Sequence, residues 1–419
     1  MNFLDKLNPQ QKSAVTAADG AVLVIAGPGS GKTRVLTQRV AYLIASEGVR
    51  PWQILAVTFT NKAAKEMQER VNGMLNEQAT EGIMLGTFHS ICARILRREA
   101  DHLPLESNFV IFDSDDQERI VKAIIREFNL NEKLYRPASI HASISRAKNE
   151  LIGADDYPIN TYRDEVVKRV YAEYQKRLIS MNAVDFDDIL VYTARLLEDN
   201  PAVRDKYAQR FRHVLVDEFQ DTNLAQYALV KQLASYHKNI FCVGDPDQSV
   251  YGWRGADYRN VQRFEQDFPD SRVILLEQNY RSHQNILDAA TGVIDRARNR
   301  KKKRLFSDRG EGDRIFFYEA RDDYGEASFV VDTIAQLVAS GDFEPGECAV
   351  MYRTNAMSRL IEEAFLQARL PYRLVGAQRF YGRREVKDAI AFLRLVHNPA
   401  DEASLDRVIN VPPRGIGEK

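Results

Sequence analysis

A glycine-rich turn directly behind a short apolar run restricts what this chain can fold into. Ala21-Val22-Leu23-Val24-Ile25 leads into Gly27-Pro28-Gly29-Ser30-Gly31-Lys32-Thr33, and an amphipathic segment from Thr33 to about Ser46 follows. Apolar run, glycine turn and helix in that order predict a strand whose C-terminal end opens onto a phosphate cradle. Gly27, Gly29 and Gly31 let backbone N–H groups turn inward, Lys32 reaches the terminal phosphates, and the Thr33 hydroxyl is placed to ligate Mg²⁺. A nucleoside triphosphate is therefore the expected ligand. The alternative is a strand-to-helix turn that binds nothing.

Similar β-type runs recur at Ile54–Phe59, Ile83–Phe88, His213–Val216, Ile240–Val243 and Val273–Leu276, and helical patterns separate most of them. That alternation predicts an α/β fold with a parallel sheet covered on both faces, and ligands at the C-terminal ends of its strands. From Phe109 to Val184 the pattern turns helical, as in Asp115–Phe128 and Tyr162–Ile179, which reads as a helical insertion. After Arg281 a second α/β pattern begins. Arg314–Tyr318, Glu347–Tyr352 and Tyr372–Val375 are expected strands, with helices at Ala327–Ala339 and Ser358–Ala368.

Composition narrows the class. The 419 residues are 44% hydrophobic and 28% charged, the balance of a globular protein large enough for several cores. Because 58 basic face 59 acidic side chains, a nucleic-acid site must come from local clustering. Cys92, Cys242 and Cys348 are far apart, without zinc-ligand or disulfide spacing, and read as core thiols in a reducing compartment. Neither a leader nor a run of apolar residues long enough to span a membrane is present, so the expectation is a soluble, cytoplasmic protein with no membrane partner. The basic run Arg300–Arg304 reads as a solvated loop.

Two further runs carry chemistry. His213–Val216 ends in Asp217-Glu218-Phe219-Gln220-Asp221, adjacent carboxylates of the kind that partner a phosphate cradle. Asp217 would hold Mg²⁺, while Glu218 would orient and deprotonate the attacking water. In Val243–Ala256, Gln248 is a candidate sensor of the terminal phosphate. Tyr251 and Trp253 offer flat faces to unpaired bases, with Arg254 beside them. The other reading makes Trp253 part of the core.

With these residues in place, the chain resembles the superfamily-one DNA helicases of the UvrD/Rep/PcrA group over all 419 residues. Leu7-Asn8-Pro9-Gln10-Gln11 is similar to the family's adenine-reading motif, which implies that Gln11 meets the base. The stretches around Phe59-Thr60-Asn61-Lys62 and Gly86-Thr87-Phe88-His89-Ser90 resemble strand-contacting motifs. They imply a base pocket at Phe59 and DNA contacts from Thr60, Lys62 and His89. Asp185-Phe186-Asp187-Asp188 matches a motif that re-enters the first motor domain. Asn279-Tyr280-Arg281-Ser282 implies Tyr280 stacked on adenine and Arg281 as an arginine finger, with Arg34 also on the nucleotide. Tyr352-Arg353-Thr354-Asn355-Ala356 implies strand contacts from Arg353 and Asn355.

The resemblance implies a RecA-like motor domain at 1–108 and 184–278, a helical insertion at 109–183, part of a second RecA-like domain at 279–379, and the start of a second insertion at 380–419. It implies ATP and Mg²⁺ as cofactors. The resemblance further implies single-stranded and 3′-tailed duplex DNA together with repair proteins as partners, and 3′ to 5′ translocation as the activity. Two family motifs have no counterpart before Lys419, so the expectation is a truncated chain that binds ATP but is impaired in unwinding, with a loosely folded second domain. Two other readings stay open here: the helicase subunit of a helicase–nuclease, and a nucleotide-gated DNA-binding module without motor activity.

Overall fold

Branched apolar residues at alternate positions build the central layer, because a strand buried on both faces must present hydrophobic side chains to each. In the computed structural model, which describes residues 4–297, 300, 302–375 and 384–416, six strands form one parallel sheet. They are β1 (Ala21–Ala26), β2 (Ile54–Thr58), β3 (Met84–Thr87), β6 (His213–Val216), β7 (Ile240–Gly244) and β8 (Arg272–Leu276), in the order β3-β2-β6-β7-β1-β8. Val24 of β1 stands level with Val243 on one side and Ile274 on the other. Leu23, Ile25, Leu55, Val57, Val214 and Val216 point to one core, while Val22, Val24, Ala56 and Leu215 point to the other. Each such side chain, fully buried, contributes about 1.5–3 kcal/mol.

The second core is closed by the helices Pro9–Val15, Lys32–Ala45 and Asn61–Leu75, and the first by Phe88–Arg98, Phe186–Asp199 and Leu224–Leu233 among others. All six expected strands of this layer are present, and the helix behind the cradle begins at Lys32. The α/β class with a parallel motor-type sheet stands.

Between β4 (Val110–Ile111) and β5 (Ala183–Val184), which pair with each other, lie the helices Ser114–Glu127, Pro137–Asn149 and Tyr162–Ser180. They share a core of their own that includes Phe112, Ile124, Ile144, Val170 and Tyr174. Capping fixes where two of them start: Asp113 accepts from the N–H groups of Asp115 and Asp116, and Thr161 accepts from that of Asp164.

By packing, the chain divides into one unit of residues 1–312 with 388–419 and another of 313–387. The first runs on through 279–312, so Tyr280 and Arg281 belong to the unit that holds the cradle. In 388–419, Arg394 pairs with Asp116 at 2.8 Å and Asn398 donates to the Met181 carbonyl at 2.8 Å. Phe380, the expected start of a second insertion, and Lys419 lie outside the described residues.

The 313–387 unit corrects an expectation. Its helices Asp323–Ala339 and Ser358–Gln367 fall where the pattern puts them, but Arg314–Tyr318, Glu347–Tyr352 and Tyr372–Val375 are not strands. A strand is defined by a hydrogen-bonded neighbour, and these runs have no ladder among the described residues. Phe316 and Phe317 are 91% and 89% exposed, so the apolar run is not driven into a sheet by burial. The thiols also differ: Cys92 and Cys242 are buried, but Cys348 is only partly so. Among the described residues no helix is long and apolar enough to cross a membrane.

Candidate nucleotide site and strand-binding face

At the C-terminal end of β1 the chain must reverse tightly and expose N–H groups, which selects residues able to take positive φ. Gly29 and Gly31 do so, at φ 63° and 88°. Counted back from Gly31-Lys32, the cradle pattern's first position falls on Ala26, the last residue of β1, rather than on a glycine. The turn is held by hydrogen bonds from Ser30 Oγ to the Gly27 carbonyl (2.7 Å) and from Gly27 N–H to the Leu276 carbonyl of β8 (3.0 Å). A methyl group at Gly29 would lie 2.7 Å from Asn279 Nδ2 and 2.8 Å from Arg281 Cβ, so the segment after β8 packs directly on the cradle. Asn279 Nδ2 donates to the Pro28 carbonyl (2.5 Å), and Tyr280 N–H to that of Gly29 (2.9 Å). Lys32, Thr33 and Arg34 follow on the first turn of their helix, with Arg34 donating to the Lys6 carbonyl at 2.7 Å.

Gln11 is buried, and both ends of its amide are engaged within the chain. Nε2 donates to the Ser30 carbonyl at 2.9 Å, and Oε1 accepts from Asn8 N–H at 3.2 Å. It therefore braces the cradle as it stands. Asn8 Nδ2 also reaches the Tyr280 hydroxyl at 2.8 Å, drawing the adenine-motif residues and Tyr280 into one cluster.

Opposite the cradle, at the end of β6, Lys32 Nζ lies 3.4 Å from Glu218 Oε2. Glu218 adopts a left-handed backbone (φ 47°, ψ 44°), an uncommon state for a residue with a side chain, which turns its carboxylate away from the strand axis. Asp217 is buried, its Oδ1 has no hydrogen-bond partner, and burial followed by the neighbouring Glu218 charge raises its pKa to about 7. Asp221 is raised for the same two reasons to about 6. A buried carboxylate oxygen left unpaired one residue from Glu218, which meets Lys32, fits a cation. No group of three or more His, Cys, Asp or Glu among the described residues makes a cage of its own.

Gln220 was not expected to matter. It is buried, and it donates from Nε2 to Glu218 Oε2 (3.0 Å) and Asp221 Oδ2 (3.2 Å) while its Oε1 accepts from Asp245 N–H at the end of β7 (2.8 Å). Its place inside the acidic run was the one available signal. Gln248 donates to Asp245 Oδ2 at 2.6 Å. The basic run behaves differently from a solvated loop. Lys303 is buried against Asp245, with Asp247 at 3.1 Å, and Arg300 pairs with Asp247 at 3.0 Å, so both brace the Gln248 loop.

The expected strand contacts divide. Tyr251 and Trp253 are exposed, Trp253 by 71%, which excludes it from the core. The side chain of Arg254 lies outside the described residues. Phe59 is half-buried, edge-on to Phe88 at 5.9 Å. Thr60 uses its hydroxyl to cap the helix that begins at Asn61, accepting from Ala63 N–H at 3.1 Å, and Lys62 is exposed on that first turn. His89 lies edge-on to Phe186 at 5.8 Å, and burial lowers its pKa. Arg353 and Asn355 are exposed in the 313–387 unit.

With this geometry in hand, comparison with known proteins is specific. Residues 7–269 match the UvrD/REP helicase N-terminal domain, and residues 274–419 the UvrD-like helicase C-terminal domain. The chain is 50% identical over 417 residues to the ATP-dependent DNA helicase PcrA of Bacillus subtilis strain 168, covering 99% of this chain and 56% of that protein. It is 47% identical over 420 residues to PcrA of Staphylococcus epidermidis strain ATCC 12228, covering 100% and 57%. With PcrA of Staphylococcus aureus strain NCTC 8325 the identity is 46% over 417 residues, covering 99% and 57%. The chain thus spans a little over half the length of these relatives. None of these matches supports the expectation of impaired unwinding.

Proposed function

Because the chain belongs to the UvrD/REP helicase family, we propose that it is an ATP-dependent DNA motor that hydrolyses ATP as it moves 3′ to 5′ on single-stranded DNA. The observation that carries this reading is the approach of Lys32 to Glu218 at 3.4 Å, with the unpaired Asp217 Oδ1 behind them. That approach supports reading the cradle, a metal ligand at Asp217 and a base at Glu218 as parts of one site. The relatives named above are ATP-dependent DNA helicases, and a role in DNA repair, alongside repair proteins, goes with the same reading.

In this reading the backbone N–H groups of Gly27–Gly31 receive the phosphates, and Lys32 leaves Glu218 to neutralise the terminal ones. Thr33 and Asp217 would hold Mg²⁺, which supplies charge neutralisation on the transferring phosphoryl group. Glu218, freed from Lys32 but still held by Gln220, accepts a proton from the attacking water. Arg281, beside Gly29, approaches the developing charge, and Tyr280 lies flat on the base with Gln11 and Arg34 near it. Gln248 reads the terminal phosphate from the loop that also carries Tyr251 and Trp253, so hydrolysis and the grip on bases share one segment. Phe59, Thr60, Lys62 and His89 meet the strand on the same unit, and Arg353 and Asn355 supply contacts from the 313–387 unit. Lysine and arginine contacts to phosphate position the strand without reading its sequence.

ATP turnover measured with and without oligo-dT tests the reading. Turnover is expected to rise strongly with the oligonucleotide and to vanish in Lys32→Ala. Glu218→Gln is expected to keep binding a fluorescent ATP analogue while losing about 10²–10⁴-fold in turnover. Turnover indifferent to DNA would point instead to a nucleotide-gated binding module, and normal turnover in Lys32→Ala would remove the cradle from the chemistry.

A further inference from the structure

Two adjacent side chains at the C-terminal end of the helix Pro137–Asn149 tie the inserted helices to the first core in different ways. Lys148 is buried with Nζ 2.7 Å from Asp185 Oδ2 and 2.7 Å from Asp188 Oδ1, and the Tyr174 hydroxyl donates to the same Asp185 oxygen at 2.9 Å. That cluster fixes the end of the helix against the start of Phe186–Asp199. Asn149 is placed by it. Its Nδ2 donates to the Ser145 carbonyl at 2.7 Å and to Asp187 Oδ1 at 3.0 Å, and its Oδ1 accepts from Asn223 Nδ2. Asn223 in turn caps the helix Leu224–Leu233, immediately behind the acidic run.

The outer side of Asn149 faces the turn that carries Trp253. Gly255, at φ 87°, packs its bare Cα there, and a Cβ added to it would lie 3.2 Å from Asn149 Cβ and 3.3 Å from Cγ. Gly255 N–H donates to the Gly252 carbonyl at 3.0 Å, and Ala256 N–H to that of Tyr251 at 3.2 Å, so the turn is closed on the residue that touches Asn149. Trp253, between these bonds, projects outward. A single amide therefore links the inserted helices, the exit of the acidic run, and the loop with the exposed indole.

We propose that Asn149 is a positioning residue for the Tyr251–Gly255 turn, through which the helical insertion sets how Trp253 is presented to unpaired bases. The proposal rests on the reading of Trp253 as a base-stacking platform. A residue of this kind governs how much DNA is needed, and the chemistry at Glu218 proceeds without it.

Trp52 and Trp253 are the only tryptophans, so in a Trp52→Phe background the quench of Trp253 fluorescence by oligo-dT reports the platform directly. In that background Asn149→Ala is expected to raise the half-saturating oligo-dT concentration about 5- to 20-fold, the range of a partly lost base stack. The quench should shift to match, with DNA-free turnover unchanged. Gly255→Ala reaches the same contact from the loop, leaves the buried helix intact, and, because its φ of 87° also strains the turn, is expected to act in the same direction with a larger effect. Unchanged half-saturation in both variants would overturn the proposal. So would equal losses of DNA-free and DNA-stimulated turnover, which would place the effect in the acidic run through Asn223. Trp253→Ala separates the two failures. If it leaves oligo-dT affinity unaltered, the platform reading falls and this proposal with it; if it weakens affinity while the other variants do not, the positioning role alone falls.

Discussion

Taking the Asp217 carboxyl out of water beside the Glu218 charge has a consequence that titration exposes. Its pKa rises from 3.8 to about 7, so between those values the unfolded chain has lost a proton that the folded chain keeps. The contribution to stability is greatest below pH 4, declines as pH rises through that window, and is gone above 7. A cation at Oδ1 requires the ionised form, so binding of Mg²⁺ with a nucleotide is expected to release a proton near neutrality and to tighten from about pH 6 to about pH 8. Calorimetry in two buffers of different ionisation enthalpy measures that proton. Asp217→Asn is expected to lose the pH dependence, and an unaltered proton release in that variant would mean another group titrates. The members of this cluster were legible in the sequence because each motif is local, with Lys32 and Thr33 in one turn and Asp217 and Glu218 in another. What was not legible depends on distant partners. Gln11, expected at the base, also braces the cradle through the Ser30 carbonyl, a partner nineteen positions on that no motif announces. Lys303 and Arg300 looked solvated because the carboxylates that bury them, Asp245 and Asp247, lie more than fifty residues earlier, 53 to 58 positions before their partners.

Among elements, the junction of Pro137–Asn149 with Phe186–Asp199 concentrates the most buried charge. Burial alone would lower the Lys148 pKa, but Asp185 and Asp188 outweigh it and raise it. Asp188, itself buried and next to the charge of Asp185, titrates at about 7. Lys148→Met removes the one cation that, among the described residues, pairs with both carboxylates, and breaking a buried pair in this way costs about 3–5 kcal/mol. Without Lys148 the carboxylates have folded pKa values above their unfolded ones, so the variant is expected to lose still more stability as pH rises from 6 to 8. Urea unfolding midpoints at the two values check this; a midpoint equal to that of the parent, or rising with pH, would contradict it. The Asp185–Asp188 run was visible as a motif, but its lysine partner was not, since no pattern joins positions 37 apart. Strands show the same division. The inner strands of the central sheet were legible because burial on both faces leaves continuous apolar runs, and the edge strand β8, with Val273 and Leu275 exposed, was legible from its apolar run alone. Arg314–Tyr318, Glu347–Tyr352 and Tyr372–Val375 carry equally apolar residues but no paired neighbours among the described residues. Composition alone cannot make a strand where the hydrogen-bonded ladder is missing.

For the molecule as a whole, a net charge of -1 leaves no long-range attraction for a polyanion, so the proposed grip on DNA has to arise from a few local contacts. Each phosphate neutralised by a lysine or arginine on a single strand releases counterions and adds about 0.7 to the slope of log affinity against log salt. On the proposed reading, Lys62 is one such contact on the sheet-bearing unit. It is exposed on the first turn of the helix Asn61–Leu75, where the N–H groups at the helix start favour an anion, and the Thr60 hydroxyl fixes that turn. Lys62→Ala is expected to lower the steepness of the salt dependence of oligo-dT binding by about 0.7, the loss of one phosphate contact. It should weaken mixed-sequence oligonucleotides by the same factor, because the contact carries no base information. Fluorescence titrations over a range of salt concentrations read both effects. An unchanged slope would take Lys62 off the strand, whereas a loss confined to one sequence would mean the residue meets a base edge, and the grip would then no longer be the sequence-blind hold that a translocating motor requires.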